Sequence, residues 1–181
     1  MKQLIFILSA LLSLSLFSQE KLSKFDIRIG TGSSFGGSGD FIFKTFENEL
    51  NYRINNYFTM SPSFGFAKSD YGVYNLGSYL HGDMNFFVSP FKNNKFNDFR
   101  IGLGASFLEY SYSYEYSRTT LSNGEEYSRY WFVTEKDFGL NLIFENTVRI
   151  TPRLLVGLKA FTQMYMNNIN SGVLVKVGYT L

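Results

Sequence analysis

His81 is the only histidine in the sequence, and it lies two residues before Asp83. Residues two apart on an extended strand share one face, so the imidazole and the carboxylate can hydrogen bond. A nucleophilic site would add a hydroxyl within reach of the imidazole. Ser78 falls on the opposite parity, and no His-x-Ser arrangement exists. We therefore interpret His81 as a hydrogen-bonded interior residue, and we predict no catalytic residues and no enzyme activity.

Glu47 and Glu49 form a second pair of titratable groups at this spacing and could serve as an acid and a base. Arg53 shares their face, which favours paired interior charges over catalysis. With one His and no Cys, the sequence offers no usual zinc or iron ligand set. The net charge is only +2, and the basic residues form no stripe that nucleic acid would require. We predict no metal, no cofactor and no nucleic acid.

Two further segments resemble binding motifs. The Gly-rich segment Gly32–Gly39 lacks the Lys-Ser/Thr ending of a phosphate loop, so we interpret it as a mobile outer loop. A ladder of tyrosines could bind sugar or another surface, although such residues more often lie at a membrane interface. The interface is the preferred interpretation for these residues, which are Tyr110, Tyr112, Tyr114 and Tyr116.

Strands must position all of these residues, because apolar and aromatic side chains recur at every second position from Phe25 to the C-terminus. The alternation predicts eight strands. Seven lie at about 25–30, 41–54, 58–66, 75–88, 99–116, 154–163 and 173–181, and the sixth strand in the chain ends at about 149. A change of apolar parity near Leu108 suggests a β-bulge or a rise out of a membrane. Polar segments separate the strands, chiefly Gly32–Asp40, Lys68–Gly72, Ser89–Asp98 and the longest loop, Arg118–Ser128.

The N-terminus has the pattern of a secretory signal. Met1-Lys2 is basic, Leu4 to Phe17 is apolar apart from Ser, and Ser18 is a small residue suited to cleavage. The apolar run is too short for an ordinary transmembrane helix, and a buried N-terminal helix is the alternative. We predict a signal peptide at 1–18 and a barrel domain at 19–181.

The charged parity of the strands is compatible with a soluble barrel and with a membrane barrel, and the bulk of the apolar parity favours the membrane. In a soluble barrel the bulky apolar face would have to fit inside eight strands, whose interior is only just wide enough for side chains. In a membrane barrel that face meets lipid and the charges meet one another in the lumen. This interior set is Arg28, Arg53, Arg100, Arg149, Lys159, Lys176, Asp26, Glu47, Glu49, Asp83 and Glu145.

The final strand places Val173, Val175, Val177, Tyr179 and Leu181 on one face. In this pattern the chain resembles the small bacterial outer-membrane barrels of the OmpX, OmpA-transmembrane and OmpW types, although Leu replaces the commoner final Phe. The resemblance implies an all-β, eight-stranded antiparallel up-and-down transmembrane barrel in a Gram-negative outer membrane. It also implies recognition of the last strand by the barrel-assembly machinery, and contact with outer-membrane lipid and lipopolysaccharide.

The predicted function is non-enzymatic: a closed polar lumen with a structural or surface-interaction role, and a possible ligand at the extracellular loops. With the N-terminus in the periplasm, these loops are 32–40, 68–72, 117–128 and 164–170. The main alternative is a small channel or binding barrel for apolar molecules. A lipid A-modifying enzyme using His81 is a third hypothesis. The near-balance of charges in the predicted lumen favours a plug over a pore.

Overall fold

The computed structural model describes residues 23–36, 41–71, 75–91, 96–166 and 168–181. They form eight antiparallel strands in sequence order, and the last strand pairs with the first to close a barrel. The predicted eight-stranded up-and-down architecture is confirmed, whereas the predicted signal peptide lies outside the described residues. The strands are β1 (Phe25–Gly36), β2 (Phe41–Arg53), β3 (Phe58–Tyr71), β4 (Asn75–Val88), β5 (Asn97–Thr120), β6 (Glu126–Arg149), β7 (Leu154–Tyr165) and β8 (Ile169–Thr180).

Strict alternation of side chains specifies the register of the closing pair. Ile27 lies opposite Tyr179 and Ile29 lies opposite Val177, so apolar side chains of β1 and β8 meet on the outer face. Every second residue of β8 is buried, and the same alternation holds in β1 except at Gly32, which is half-buried. A shift by one residue would exchange the two faces, so the burial pattern fixes the pairing. Among the described residues, no helix has the length and apolar character needed to cross a membrane.

Several strands are longer than the sequence predicted. β1 continues through the Gly-rich segment to Gly36, because Ser34 points into the barrel and hydrogen bonds to Thr45 (2.8 Å) and Tyr79 (2.7 Å). The predicted loop Arg118–Ser128 is mostly strand, and only residues 121–125 form the turn of the β5–β6 hairpin. Gly124 adopts φ 85° there, a conformation that favours glycine. Similarly, β3 extends to Tyr71.

Of the two interpretations of the parity change near Leu108, a β-bulge and a rise out of a membrane, the bulge is wrong. Leu108 pairs with Asp137 in an unbroken register, and its side chain points into the barrel. The apolar parity changes because the lumen itself becomes apolar at this height. The register of β5 and β6 shifts later, between Glu115 and Ser117.

The outer face is apolar and the inner face carries the charges. Ile29, Leu50, Phe86, Leu103 and Val175 are exposed on the outside. The polar parity faces the lumen, as the sequence predicted for a membrane barrel and not for a soluble one. This arrangement places the charged candidate residues together inside the barrel.

The apolar outer face ends at a definite height on β5 and β6. The rings of Phe107 and Phe138 pack at 5.2 Å between centroids. The next outward-facing pair, Glu109 and Lys136, forms an ion pair at 3.1 Å. The β5–β6 hairpin continues without the other strands beyond Tyr112 on β5 and Gly139 on β6, where β4 and β7 make their last pairs with it.

Candidate functional site

Glu49 is the centre of a charge network across the lumen. Arg100 Nη2 donates to its Oε1 at 2.5 Å, and Asn51 Nδ2 donates to the same oxygen at 2.8 Å. The ammonium group of Lys176 bonds to the other oxygen, and that of Lys159 lies 3.5 Å from it. These partners come from β5, β2, β8 and β7, so Glu49 ties four strands together.

Glu145 holds a second group of cations, on the side of the network away from the β5–β6 hairpin. Arg28 donates to Glu145 and, from Nε, to Asp26 Oδ1 at 2.7 Å. Arg100 Nη2 also lies 3.0 Å from Glu145 Oε1. Arg100 further stacks over the Phe87 ring, with its guanidinium carbon 3.9 Å from the centroid. Each of these buried cations therefore has a carboxylate within reach.

Both oxygens of Glu47 are bound by lysine, which counts against the hypothesis that Glu47 and Glu49 act as an acid and a base. Lys159 Nζ donates to both oxygens of Glu47, at 2.7 and 2.8 Å, and Lys176 Nζ lies 2.9 Å away. Both carboxylates are about 1% exposed. They are structural counterions, with no access for a substrate from the described lumen.

Ten of the eleven predicted interior charges are buried, and the charges nearly cancel. Arg149 is the exception: it is only half-buried at the barrel end, where Nη1 donates to the Pro152 carbonyl at 2.9 Å. Asp98 falls in a predicted loop, yet it is buried and accepts a bond from Ser89 at 2.9 Å. Asp98 lies two residues before Arg100 and therefore shares its strand face, which was the signal in the sequence that Asp98 points inward. The described residues therefore bury five basic and six acidic side chains: Arg28, Arg53, Arg100, Lys159, Lys176, Asp26, Glu47, Glu49, Asp83, Asp98 and Glu145.

His81 lies deep in the lumen, with 2% of its surface exposed. Its Nδ1 is 2.8 Å from Asp83 Oδ2, as the spacing predicted. The nearby hydroxyls of Ser63 and Ser106 donate to Asp83, at 3.1 and 2.5 Å, and not to the imidazole. His81 Nε2 instead faces Gly65, whose added Cβ would lie 2.1 Å from it. Within the described part of the chain, the residues around His81 form no nucleophilic triad.

The same histidine contributes to a group that resembles a metal site. Ligand atoms of Glu47, His81 and Asp83 lie within 4.8 Å of one another. However, the Lys159 ammonium bonds both Glu47 oxygens, so a positive charge already occupies the position of a cation. This group fits a metal poorly.

An apolar cluster caps the polar lumen at the end nearest the β5–β6 hairpin. Phe43, Ala67, Tyr79, Leu108 and Tyr165 are buried together, with Tyr110 packed against them. The Tyr79 and Tyr165 hydroxyls point down to polar partners, and Tyr165 Oη lies 2.7 Å from Ser106 Oγ. Sequence reasoning did not assign these residues to the lumen, because it looked for charged and polar side chains on that parity. The parity that Phe43 and Tyr79 share with Thr45, Glu47 and His81 was the available signal.

The β5–β6 hairpin carries an aromatic side above this cap. Tyr110 and Tyr112 stack at 5.3 Å between centroids, and Tyr116 and Trp131 meet edge to face at 6.0 Å. Tyr127 shares the parity of Trp131 on β6. We call the surface made by Tyr110, Tyr112, Tyr116, Tyr127 and Trp131 the ring face. It continues the lumen side of the sheet, so the membrane-interface interpretation does not fit Tyr110 and Tyr112.

The opposite side of the hairpin is held by polar contacts. Arg118 donates to both oxygens of Glu115, at 2.8 and 2.9 Å, and Ser128 Oγ donates at 2.7 Å. These hydrogen bonds, first that of Arg118 and then that of Ser128, lower the pKa of Glu115 to about 2. Ser111 and Thr134 pair at 2.9 Å on this side as well. The two sides of the ribbon are therefore chemically different.

A closed barrel with an apolar exterior, a salt-bridged lumen and a projecting hairpin defines an outer-membrane type of fold. Comparison with solved structures agrees. Over 88% of this chain and 99% of the other, it is similar to Ail, the attachment invasion locus protein of Yersinia pestis, with 12% identity and a TM-score of 0.60. Over 90% of this chain and 100% of the other, it is similar to Neisserial surface protein A, with 15% identity and a TM-score of 0.60.

A major outer membrane protein of Thermus thermophilus gives a TM-score of 0.62 at 11% identity, over 86% of this chain and 98% of the other. No protein-family model and no curated protein sequence matches the chain. At these identities the likeness shows a shared fold, that of the small eight-stranded outer-membrane barrels.

Proposed function

We propose that the protein is a non-enzymatic barrel of the Gram-negative outer membrane that presents its β5–β6 hairpin to partners at the cell surface. The observation that carries this proposal is the inverted distribution of side chains. Arg28 and Arg100 are at most 1% exposed, whereas Phe86, Leu103 and Val175 are each more than half exposed. Such a surface is stable in lipid and would aggregate in water.

The filled lumen supports a structural role over transport. Lys159, Lys176 and Arg100 cross the lumen to carboxylates on other strands, and Phe43 and Leu108 close its hairpin end. A channel for apolar molecules would need an apolar cavity with a side opening. The charged plug counts against that alternative, and the burial of His81 under Gly65 counts against a lipid-modifying enzyme.

The outer surface suggests two further partners. The exposed residues Val173, Val175, Val177 and Tyr179 of β8 fit the recognition pattern of the barrel-assembly machinery. The exposed apolar belt fits the acyl chains of outer-membrane lipid and lipopolysaccharide. Export by the signal peptide at 1–18 is part of the same proposal.

Cysteine labelling in intact cells tests the proposed orientation, because the native sequence has no Cys. Asn123→Cys places a thiol in the β5–β6 turn, and Asn56→Cys places one in the β2–β3 turn at the other end of the barrel. A membrane-impermeant maleimide should label the first variant in intact cells, and the second only after the outer membrane is opened. The reverse pattern would refute surface presentation.

Conductance of the purified protein in planar bilayers tests the closed lumen. The expected result is no steady current, because the charge network and the apolar cap leave no continuous water path. A stable open channel in the folded, heat-modifiable form would refute the plug and favour the transport alternative.

A further inference from the structure

Resting on the proposed surface display of the hairpin, we propose that the ring face binds a neutral oligosaccharide. Tyr and Trp rings offer broad, rigid contact area with a polar edge, and little side-chain entropy is lost when they bind. The C–H faces of a sugar ring are apolar and can lie flat on such rings, while its hydroxyls hydrogen bond at their edges. The ring face offers a row of such rings along one side of the hairpin.

The position of the ring face excludes the usual explanation for surface aromatic residues. The apolar belt ends at Phe107 and Phe138, below the Glu109–Lys136 ion pair. Tyr116 and Trp131 lie well beyond that pair along their strands, on the side that continues the lumen. They are 51% and 58% exposed, respectively. Lipid therefore does not cover these rings, and exposed rings in water mark a binding surface.

The β-bulge aims one of the rings onto this side. The register shifts between Glu115 and Ser117, so Tyr116 has no direct partner on β6. Its ring nevertheless packs against Trp131. Glu115 meanwhile bonds Arg118 and Ser128 on the opposite side. A bulge re-aims a side chain in this manner, and here it places Tyr116 beside Trp131 while Glu115 stays on the opposite side.

The size of the ring face suits a sugar chain better than a folded protein. The part of the ring face that stands beyond the other strands runs from Tyr112 to Thr119, the partner of Tyr127. It is eight residues long, or about 26 Å, and its two strands give it a width of roughly 10 Å. The resulting area of roughly 260 Å² is about a third of the ~800 Å² that each partner buries in a standard protein interface. A narrow linear chain can use all of it.

The charges on this side point to a neutral ligand. Above the lumen it carries Arg129, Glu135 and Asp137. The Asp137 carboxylate accepts bonds from the backbone N–H groups of Phe138 (2.8 Å) and Met166 (3.1 Å), and the three residues together are one basic and two acidic side chains. A highly sulfated saccharide or a nucleic acid would require more cations. Tyr112 Oη already donates to Glu135 at 3.3 Å, which places a hydroxyl and a carboxylate together for sugar hydroxyls.

The experiment uses the full barrel folded in a detergent without a sugar headgroup. It is applied to an immobilised array of neutral hexose and N-acetylhexosamine oligomers with sulfated saccharides for comparison. A bound neutral oligomer is then titrated while the fluorescence of Trp131 is followed. Trp131 is the only Trp in the sequence, so the signal reports from the ring face.

Binding of a neutral oligomer with a saturable change in Trp131 fluorescence is the expected result. Tyr116→Ala and Tyr127→Ala should each weaken binding about tenfold or more, as loss of an anchor ring does. Phe132→Ala is the matched control, because Phe132 is 76% exposed and faces the other side of the ribbon. Heat-modifiable gel mobility verifies that each variant is folded.

Three results would overturn the inference: no neutral oligomer bound, only sulfated saccharides bound, or an equal loss in Phe132→Ala. Labelling of Asn123→Cys in intact cells separates this failure from that of the proposed function. If the hairpin is labelled and no glycan binds, only the inference fails. If the hairpin is not labelled at the cell surface, the proposed function fails with it.

Discussion

The closed barrel and the β5–β6 hairpin share the strands β5 and β6. Side chains on the inner side of these strands are buried in the barrel, whereas those on the same side of the hairpin are exposed. Arg100 on β5 points inward and is fully buried, because seven other strands enclose it. Tyr116, sixteen residues further along β5, lies on the corresponding side and is half exposed, because only β6 accompanies it. Enclosure by the other strands, and not the local sequence, decides whether an inward side is a core or a surface.

This difference determines which residue types each region tolerates. Charges inside the barrel are removed from water and are stable only with partners across the lumen, as Glu49 and Glu145 show. Charges on the hairpin remain hydrated, and their ion pairs contribute little. Rings inside close the lumen, and rings on the hairpin remain available to a ligand. Each of the following predictions tests one side of this contrast.

Glu49→Gln should give the largest effect on the free energy of unfolding. It leaves Arg100, Lys176 and Lys159 buried without their shared carboxylate, and breaking a buried pair in this way costs about 3–5 kcal/mol. Urea unfolding of the barrel in vesicles, followed by heat-modifiable mobility, measures the loss. The matched control is Glu126→Gln on the hairpin, where Arg118 is 3.5 Å away in solvent. Equal effects of the two substitutions would abolish the contrast.

Val175→Arg should be the next most damaging substitution. Val175 lies in the middle of the apolar outer face of β8, and an arginine at the midplane of a bilayer costs roughly 2–4 kcal/mol in such barrels. Phe132→Arg, on the outer side of the hairpin above the Glu109–Lys136 ion pair, should change the unfolding free energy little. The same unfolding assay in vesicles compares them. A harmless Val175→Arg would mean that lipid does not cover this face.

The sequence predicted the closed part well, because a single parity rule separates two faces with opposite polarity. It identified Arg28, Glu49 and Lys176 as inward residues without any knowledge of their partners. It misplaced Arg149, because parity says nothing about where a barrel ends and solvent begins. It also missed Phe43 and Leu108, since an apolar residue on the polar parity looks like a register error until the other strands show the cap.

The hairpin was the harder region to predict. The segment Arg118–Ser128 is polar, and polar composition between strands usually indicates a loop. The backbone pairing of the two strands, Arg118 with Ser128 and Thr119 with Tyr127, shows that it is sheet. Such contacts depend on the register between strands, which no single-strand periodicity contains. The ring face was noticed in sequence as a tyrosine ladder, but β6 contributes Trp131 and Tyr127, which that pattern did not include.

Gly65→Ala should produce an intermediate loss, because it overfills the lumen. Its Cβ would lie 2.1 Å from His81 Nε2 and 2.7 Å from the Phe46 carbonyl oxygen. Overpacking of this kind costs about 1–3 kcal/mol. Gly82→Ala is the matched control, because its Cβ on the outer face meets nothing within 4 Å. Adding His81→Ala to Gly65→Ala should recover part of the stability, and no recovery would show that the imidazole does not occupy this space.

Arg118→Gln should have the smallest effect on stability and a clear effect on titration. The Arg118 hydrogen bonds contribute most to holding the pKa of Glu115 near 2, below its ordinary value of 4.5. Because the folded-state pKa is depressed, this contact stabilises the hairpin above about pH 4.5 and is lost as the pH falls through 2. In Arg118→Gln the pKa of Glu115 should rise toward 4.5, and the Ser128 hydrogen bond should keep part of the shift. NMR titration of the Glu115 carboxyl carbon measures this change. Lys136→Gln, which removes the distant Glu109 pair, should leave the Glu115 titration unchanged. If the Glu115 pKa stays near 2 without Arg118, this pair does not hold the polar side of the hairpin, and the position of Glu115 opposite the ring face needs another cause.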